Sequence, residues 1–162
     1  MKKLTGLLAG VLALLLVWPA WAAELTPLGY WKTIDDVTGR AQSIIHITLK
    51  KEDGTYQGKI VNTYPKPGED KTKVCSLCKG KRHNQRILGM TIMENFHADK
   101  NGSAGFYKGG TILDPTSGKT YSCTMQVSHN NKKLTVRGYI GIPLFGRSQT
   151  WLRVSGATVA DS

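Results

Sequence analysis

The chain has 162 residues, with 22 Lys and Arg against 11 Asp and Glu, a formal charge of +11 and 40% hydrophobic residues. One long apolar run stands near the start and no second one follows, which excludes a bundle of several membrane-spanning helices. The excess of bases favours anionic partners such as lipid headgroups, envelope polysaccharide or nucleic acid.

Residues 1–22 read as a secretory leader. Lys2 and Lys3 precede an apolar stretch from Leu4 to Trp18, and Ala20-Trp21-Ala22 places small residues at −3 and −1 of a cut after Ala22. Residues 23–162 hold all 11 acids and 20 of the 22 bases, a net charge of +9 on 140 residues, enough for one domain with a core. Export speaks against nucleic acid as the partner.

Beyond the leader, short alternating runs are separated by turn signals, and no segment keeps a period of 3.6, which argues all-β. Gly29 to Ile34 starts the first strand and "DDVTG" turns it. Ser43 to Lys50 and Thr55 to Val61 form a hairpin around "KEDG". Residues 62–86 are a long polar loop. Leu88 to Ala98 is a strand, "DKNG" a turn, and Gly105 to Leu113 a strand interrupted by Gly109-Gly110, read as a bulge. "DPTSG" leads into Thr120 to Ser128, "HNNKK" into Leu134 to Ile140, and Arg147 to Val154 is last. The small, polar tail 155–162 reads as flexible. Eight strands joined mostly by hairpin turns predict an antiparallel up-and-down barrel over 23–154. Closure removes open edges, and eight strands enclose side chains or one small ligand. A two-sheet sandwich is the competing architecture.

Alternation assigns the inner face. Ile45 and Ile47 share one side of their strand, Met125 and Val127 follow Cys123, and Val136 and Ile140 follow Leu134. Met90, Ile92 and Phe96 share a side with Leu88, and Glu94 falls among them, which points to a one-residue slip in the alternation or an arginine partner. These nine residues, Ile45, Ile47, Met90, Ile92, Phe96, Met125, Val127, Val136 and Ile140, are the candidate cavity lining.

"KVCSLCKGKRHNQR" carries the most suggestive chemistry. In an exported chain Cys75 and Cys78 default to a disulfide. A thioredoxin-like centre needs the first cysteine at a helix N-terminus, and no helical face follows here. Zinc needs four ligands, and Cys75, Cys78 and His83 supply three. Cys123 is left over as a buried small hydrophobe. Between Lys66 and Arg86 there are seven bases and two acids, so Lys73, Lys79, Lys81 and Arg82 are candidates for an anion-binding loop. No Ser-His-Asp order, phosphate loop or nucleotide fingerprint is present, and neither a cofactor nor a resident metal is expected.

"GYWKTIDDVTG", "GTILDPTSGKTY", "LTVRGYIG" and "FGRSQTWLRV" together resemble the signatures of an exported bacterial family known as domain of unknown function 2147, from about Gly29 to Val154. The resemblance implies a lipocalin-like barrel with an internal cavity and carries no enzymatic activity. Gly29-Tyr30-Trp31 looks like the G-x-W of the first lipocalin strand, where the tryptophan closes the floor beneath an arginine. Arg137 or Arg153 would supply that arginine, and Trp151 is a second closing or core tryptophan. The expectation is a non-catalytic periplasmic or secreted protein holding a small hydrophobic or amphipathic molecule, with the basic loop meeting an anionic lipid headgroup or polysaccharide. The alternatives are an envelope interaction protein that acts through the basic loop 66–86 and a thiol-disulfide enzyme using Cys75 and Cys78.

Overall fold

The computed structural model describes residues 24–70 and 72–160. The segment read as a leader, residues 1–22, lies outside the described residues. Eight strands follow in order: β1 Gly29–Ile34, β2 Ala41–Leu49, β3 Tyr56–Thr63, β4 Thr91–Ala98, β5 Phe106–Asp114, β6 Lys119–Val127, β7 Lys133–Tyr139 and β8 Arg147–Val154. Each pairs antiparallel with the next, and β1 pairs with β8 at Tyr30–Val154, Trp31–Arg153 and Lys32–Leu152. The sheet therefore closes as an eight-stranded up-and-down barrel and leaves no edge strand. In the tail, Ala157–Ala160 forms a single helical turn, α1.

Up-and-down order puts the chain's connections alternately at two ends. The segments 24–28, 50–55, 99–105 and 128–132 gather at one end. The loops 35–40, 64–90, 115–118 and 140–146 gather at the other. The core fills the first end: Trp31, Ile45, Ile47, Met93, Phe96, Tyr107, Met125, Val127 and Leu134 are buried in one cluster.

Two departures from simple alternation shape β4 and β5. Tyr107 faces Met125 while Gly110 faces Cys123, so Lys108 and Gly109 together oppose Thr124, and the bulge read at Gly109-Gly110 is present. Gly109 takes φ 76°, and a Cβ on Gly110 would sit 2.4 Å from the Phe96 ring. Only glycine lets that ring lie flat on the strand backbone. Opposite, Tyr56 pairs with Phe96, Gly58 with Met93 and Lys59 with Thr91, so β4 carries extra residues against β3, and Asn95 sits at φ 62°. Asparagine tolerates that left-handed geometry. These bulges bring both Met93 and Phe96 into the core and move Glu94 out of the apolar row. Glu94 pairs with Arg82 on the outer wall.

Candidate functional site

The closed end is sealed by residues drawn from both termini of the barrel. Trp31 is fully buried and its indole N–H donates to the Pro27 carbonyl at 2.6 Å. The Arg153 guanidinium lies 4.2 Å from the Trp31 ring centroid. The same guanidinium donates to the carbonyls of Leu28 at 2.6 Å, Thr26 at 2.7 Å and Asn131. Register explains the stack, since Trp31 and Arg153 are direct partners across the closing seam. Burial lowers the Arg153 pKa from its ordinary value, but an arginine stays protonated in a protein. Tyr107 completes the floor by donating to the Leu25 carbonyl at 3.0 Å, and burial, its largest influence, raises its pKa.

The opposite end is a cup of about 480 Å³. Its apolar floor is Ile60, Ile92, Ile112, Leu113 and Trp151, with Thr33, Ser43, Tyr121 and Gln149 among them. Its rim comes from the β1–β2 turn, the long β3–β4 loop and the β5–β6 turn. Inner-face residues shrink or turn polar toward this end. Trp31 gives way to Thr33, Ile47 and Ile45 to Ser43, Leu134 and Val136 to Gly138, and Trp151 to Gln149. On β1, β2, β7 and β8, bulky side chains fill the lower half and smaller or polar ones open the upper half, while Ile60, Ile112 and Tyr121 keep large side chains at the cup. Thr33 and Ser43 exchange a hydroxyl hydrogen bond at 2.9 Å on the inner wall.

Charges around the rim divide into two groups. Each of the four carboxylates is held inside its own turn. Asp35 accepts from the Val37 and Thr38 amides, Asp70 from the Thr72 amide, Asp114 from the Thr116 amide and Ser117 hydroxyl, and Glu69 from the Lys66 amide. The Thr38 and Thr72 bonds hold Asp35 and Asp70 below the usual carboxylate range. The three rim cations Arg40, Lys66 and Lys73 form no ion pair with any described residue.

Cys75 and Cys78 form a disulfide. Both are buried, beneath the β5–β6 turn. The Cys75 sulfur lies 3.1 Å from the Pro115 carbonyl oxygen, and a Cβ on Gly118 would stand 2.1 Å from the Leu77 carbonyl oxygen. The bridge closes a short ring within the long loop, and that ring packs against "DPTSGK" and helps to build the rim. Strand-like pairing of Val74 with Arg86 and amide bonds from Cys75 to Gln85 and from Asn84 to Cys75 make 73–87 a compact hairpin. The disulfide leaves neither cysteine as a thiolate ligand, and among the described residues no three His, Cys, Asp or Glu side chains group to hold a metal. Cys123 is a buried free thiol whose pKa burial pushes up to about 12.

The structure redistributes the expected site residues. Ile92 lines the cup. Ile45, Ile47, Met90, Phe96, Met125, Val127 and Val136 are inside the barrel but belong to its packed core and do not line the cup. Ile140 does not face inward at all. β7 ends at Tyr139, and Ile140 is 75% exposed in the following loop. Arg153, not Arg137, covers the floor tryptophan. Arg137 is at the open end, where it donates to the Pro143 and Leu144 carbonyls and to Ser148 at 2.8, 3.1 and 2.9 Å. Trp151 is buried and lines the cup, donating to Gln149 at 3.2 Å, so it belongs to the cup and not to the seal at the closed end. Of the proposed anion-binding residues, only Lys73 reaches the cup. Lys79 and Lys81 are exposed outside it and Arg82 is taken by Glu94. The inward row of small and polar residues on β1, β2, β7 and β8 marks the cup only once the strands are placed in register.

Residues 29–153 match the family model described as "Uncharacterized protein conserved in bacteria (DUF2147)", and the chain belongs to that family. Among solved structures it is similar to HP1028 from the human pathogen Helicobacter pylori, a protein described as belonging to the lipocalin family. The two share 20% identity over 83% of this chain and 86% of the other, with a TM-score of 0.66. At that identity the likeness speaks for the fold, a lipocalin-like barrel. No curated protein matches the chain.

Proposed function

We propose that this DUF2147 protein is a non-catalytic carrier that takes a small amphipathic molecule into its open cup, tail inward and polar or anionic head at the rim. The observation that carries the reading is the cup itself: about 480 Å³, an apolar floor, and three rim cations without ion-pair partners. That volume falls within the roughly 300–1,000 Å³ of ordinary small-molecule sites. The floor residues Ile60, Ile92, Ile112, Leu113 and Trp151 would cover the tail. Burying that surface contributes about 25 cal/mol per Å², less the cost of ordering the guest. Because the lower barrel is filled, the guest is short: it occupies half the barrel and leaves its head in reach of Arg40, Lys66 and Lys73.

A binder is favoured over a thiol-disulfide enzyme because the Cys75–Cys78 sulfurs lie under the β5–β6 turn, where an attacking thiolate lacks access. The reading includes export. Residues 1–22 have leader composition, and an oxidised cysteine pair suits an oxidising compartment. Amino-terminal sequencing of the protein recovered from cells should begin at Ala23.

The test is native mass spectrometry with medium-chain fatty acids and lysophospholipids as probes, on the native protein and on Ile92→Trp. One bound guest per protein, lost in Ile92→Trp and weakened by Lys66→Glu with Lys73→Glu, is the expected result. Binding that ignores all three substitutions would sink the cup as the site.

A further inference from the structure

The open end of the barrel is also the apolar and basic end of the molecule. The described surface exposes 11 large apolar side chains, and only Leu28, Leu49 and Leu152 lie toward the closed half. The densest group is the β7–β8 loop, where Ile140, Ile142, Leu144 and Phe145 project within six residues. Leu144 is 75% exposed and Phe145 80%. The loop is not slack. Pro143–Phe145 form a 3-10 turn, and the Arg137 fork holds the Pro143 and Leu144 carbonyls from beneath. The backbone is thus fixed to the barrel while its apolar side chains face out. Val37 and Leu77 project from neighbouring loops of the same end.

Charge follows the same polarity. The open-end loops 35–40, 64–90, 115–118 and 140–146 hold 8 bases and 4 acids, a net +4. The closed-end segments 24–28, 50–55, 99–105 and 128–132 hold 4 bases and 4 acids. Lys79 and Lys81, which do not reach the cup, are exposed here, and so is Arg147.

We infer that the open end docks on an anionic phospholipid surface, with the Ile140–Phe145 loop entering the headgroup boundary and the surrounding lysines and arginines held by lipid phosphate. Protruding apolar side chains set among bases are the chemistry of interfacial binding. A second protein is the poorer fit. Stable protein interfaces use roughly 20–30 residues a side over a complementary surface, and this end offers a narrow hook beside an open cup. The inference does not rest on the cup being occupied. Docking without guest uptake would refute the carrier reading alone, and uptake without docking would refute this one alone.

The experiment is co-sedimentation of the native protein with phosphatidylcholine vesicles, with and without phosphatidylglycerol. Binding to the anionic vesicles, weakened by salt, is expected. The pair Leu144→Asp and Phe145→Asp should cut the partition coefficient at least about tenfold, since two buried apolar groups become two repelled charges. Leu49→Asp at the closed end should leave it within about twofold by the same reasoning. All variants are exposed-site changes, and circular dichroism confirms that each folds. The inference is overturned by failure to bind anionic vesicles, by equal loss in Leu49→Asp, or by a dimer in sedimentation that Phe145→Asp splits.

Discussion

Gly118 and Gly39 form a matched pair that tests whether the disulfide hairpin and the β5–β6 turn act as one rim. Their φ angles are 68° and 69°. Both substitutions to alanine therefore meet the same left-handed penalty, about 1–2 kcal/mol, offset by about 0.4–1 kcal/mol from the less flexible unfolded chain. They differ in space. A Cβ at Gly39 meets nothing within 4 Å, whereas one at Gly118 would stand 2.1 Å from the Leu77 oxygen, 2.4 Å from its carbonyl carbon and 2.9 Å from the Cys78 nitrogen. All three are backbone atoms, which cannot rotate away, so the hairpin must shift or the turn must open. Overpacking of this kind costs a further ~1–3 kcal/mol.

Gly39→Ala should then lose about 1 kcal/mol and Gly118→Ala about 3 kcal/mol in urea denaturation, from those same terms. The second readout is chemical. Displacing the hairpin lifts Cys75 from the Pro115 carbonyl, so a phosphine reductant under native conditions should open the disulfide faster in Gly118→Ala only. Gly118→Asn separates the causes, because asparagine relieves the φ penalty and keeps the Cβ contact. Equal losses in Gly39→Ala and Gly118→Ala, with unchanged disulfide reduction, would refute the packed rim.

Arg153→Met removes a cation over Trp31 and three bonds to carbonyls. The stack contributes about 0.5–2 kcal/mol, and carbonyls that water can partly reach add less than buried ones, so a loss of about 2–4 kcal/mol is expected in urea. Arg153→Lys should recover less than half of it, since an ammonium cannot form the same planar fork. Cys123, its pKa pushed up to about 12, should resist iodoacetamide at pH 8 in the native protein and react within minutes in urea. Rapid native labelling would contradict its burial. The β1–β2 rim turn should loosen in acid. Asp35 has a folded pKa below its unfolded value, set first by the Thr38 amide, so its contribution is complete above the unfolded pKa and is lost as pH falls through the folded one. Amide exchange at Thr38, corrected for intrinsic rates, should accelerate over that window, and a flat profile would remove Asp35 as the turn's anchor.

The barrel was legible because its signals are local. Period-two runs, turn residues and the matched ends of Gly29–Ile34 and Arg147–Val154 mark the strands, and closure follows from having no other use for their edges. The Trp31 floor was legible as a motif. The sequence left the covering arginine open between Arg137 and Arg153, because pairing across the seam depends on the register between the first strand and the last. The cavity was not legible from alternation. Alternation tells inside from outside, and it correctly put Ile45, Phe96 and Met125 inside. It says nothing about whether an inside position faces packed neighbours or a void, which depends on how side-chain volumes sum at one level around the barrel. That sum needs the register of all eight strands at once. Bulges defeat it further. β4 takes extra residues against β3, so Met93 joins the core and Glu94 leaves it, and a strict two-residue count across Met90–Phe96 fails in the middle. Ile140 failed for a different reason. Its strand ends one residue earlier, where Gly141 at φ 75° turns the chain, and the apolar run that continues through Phe145 serves the outer surface of the open end and not the lumen. An apolar residue beyond the last ladder pair follows the loop, and in this protein the loop is held outward by Arg137.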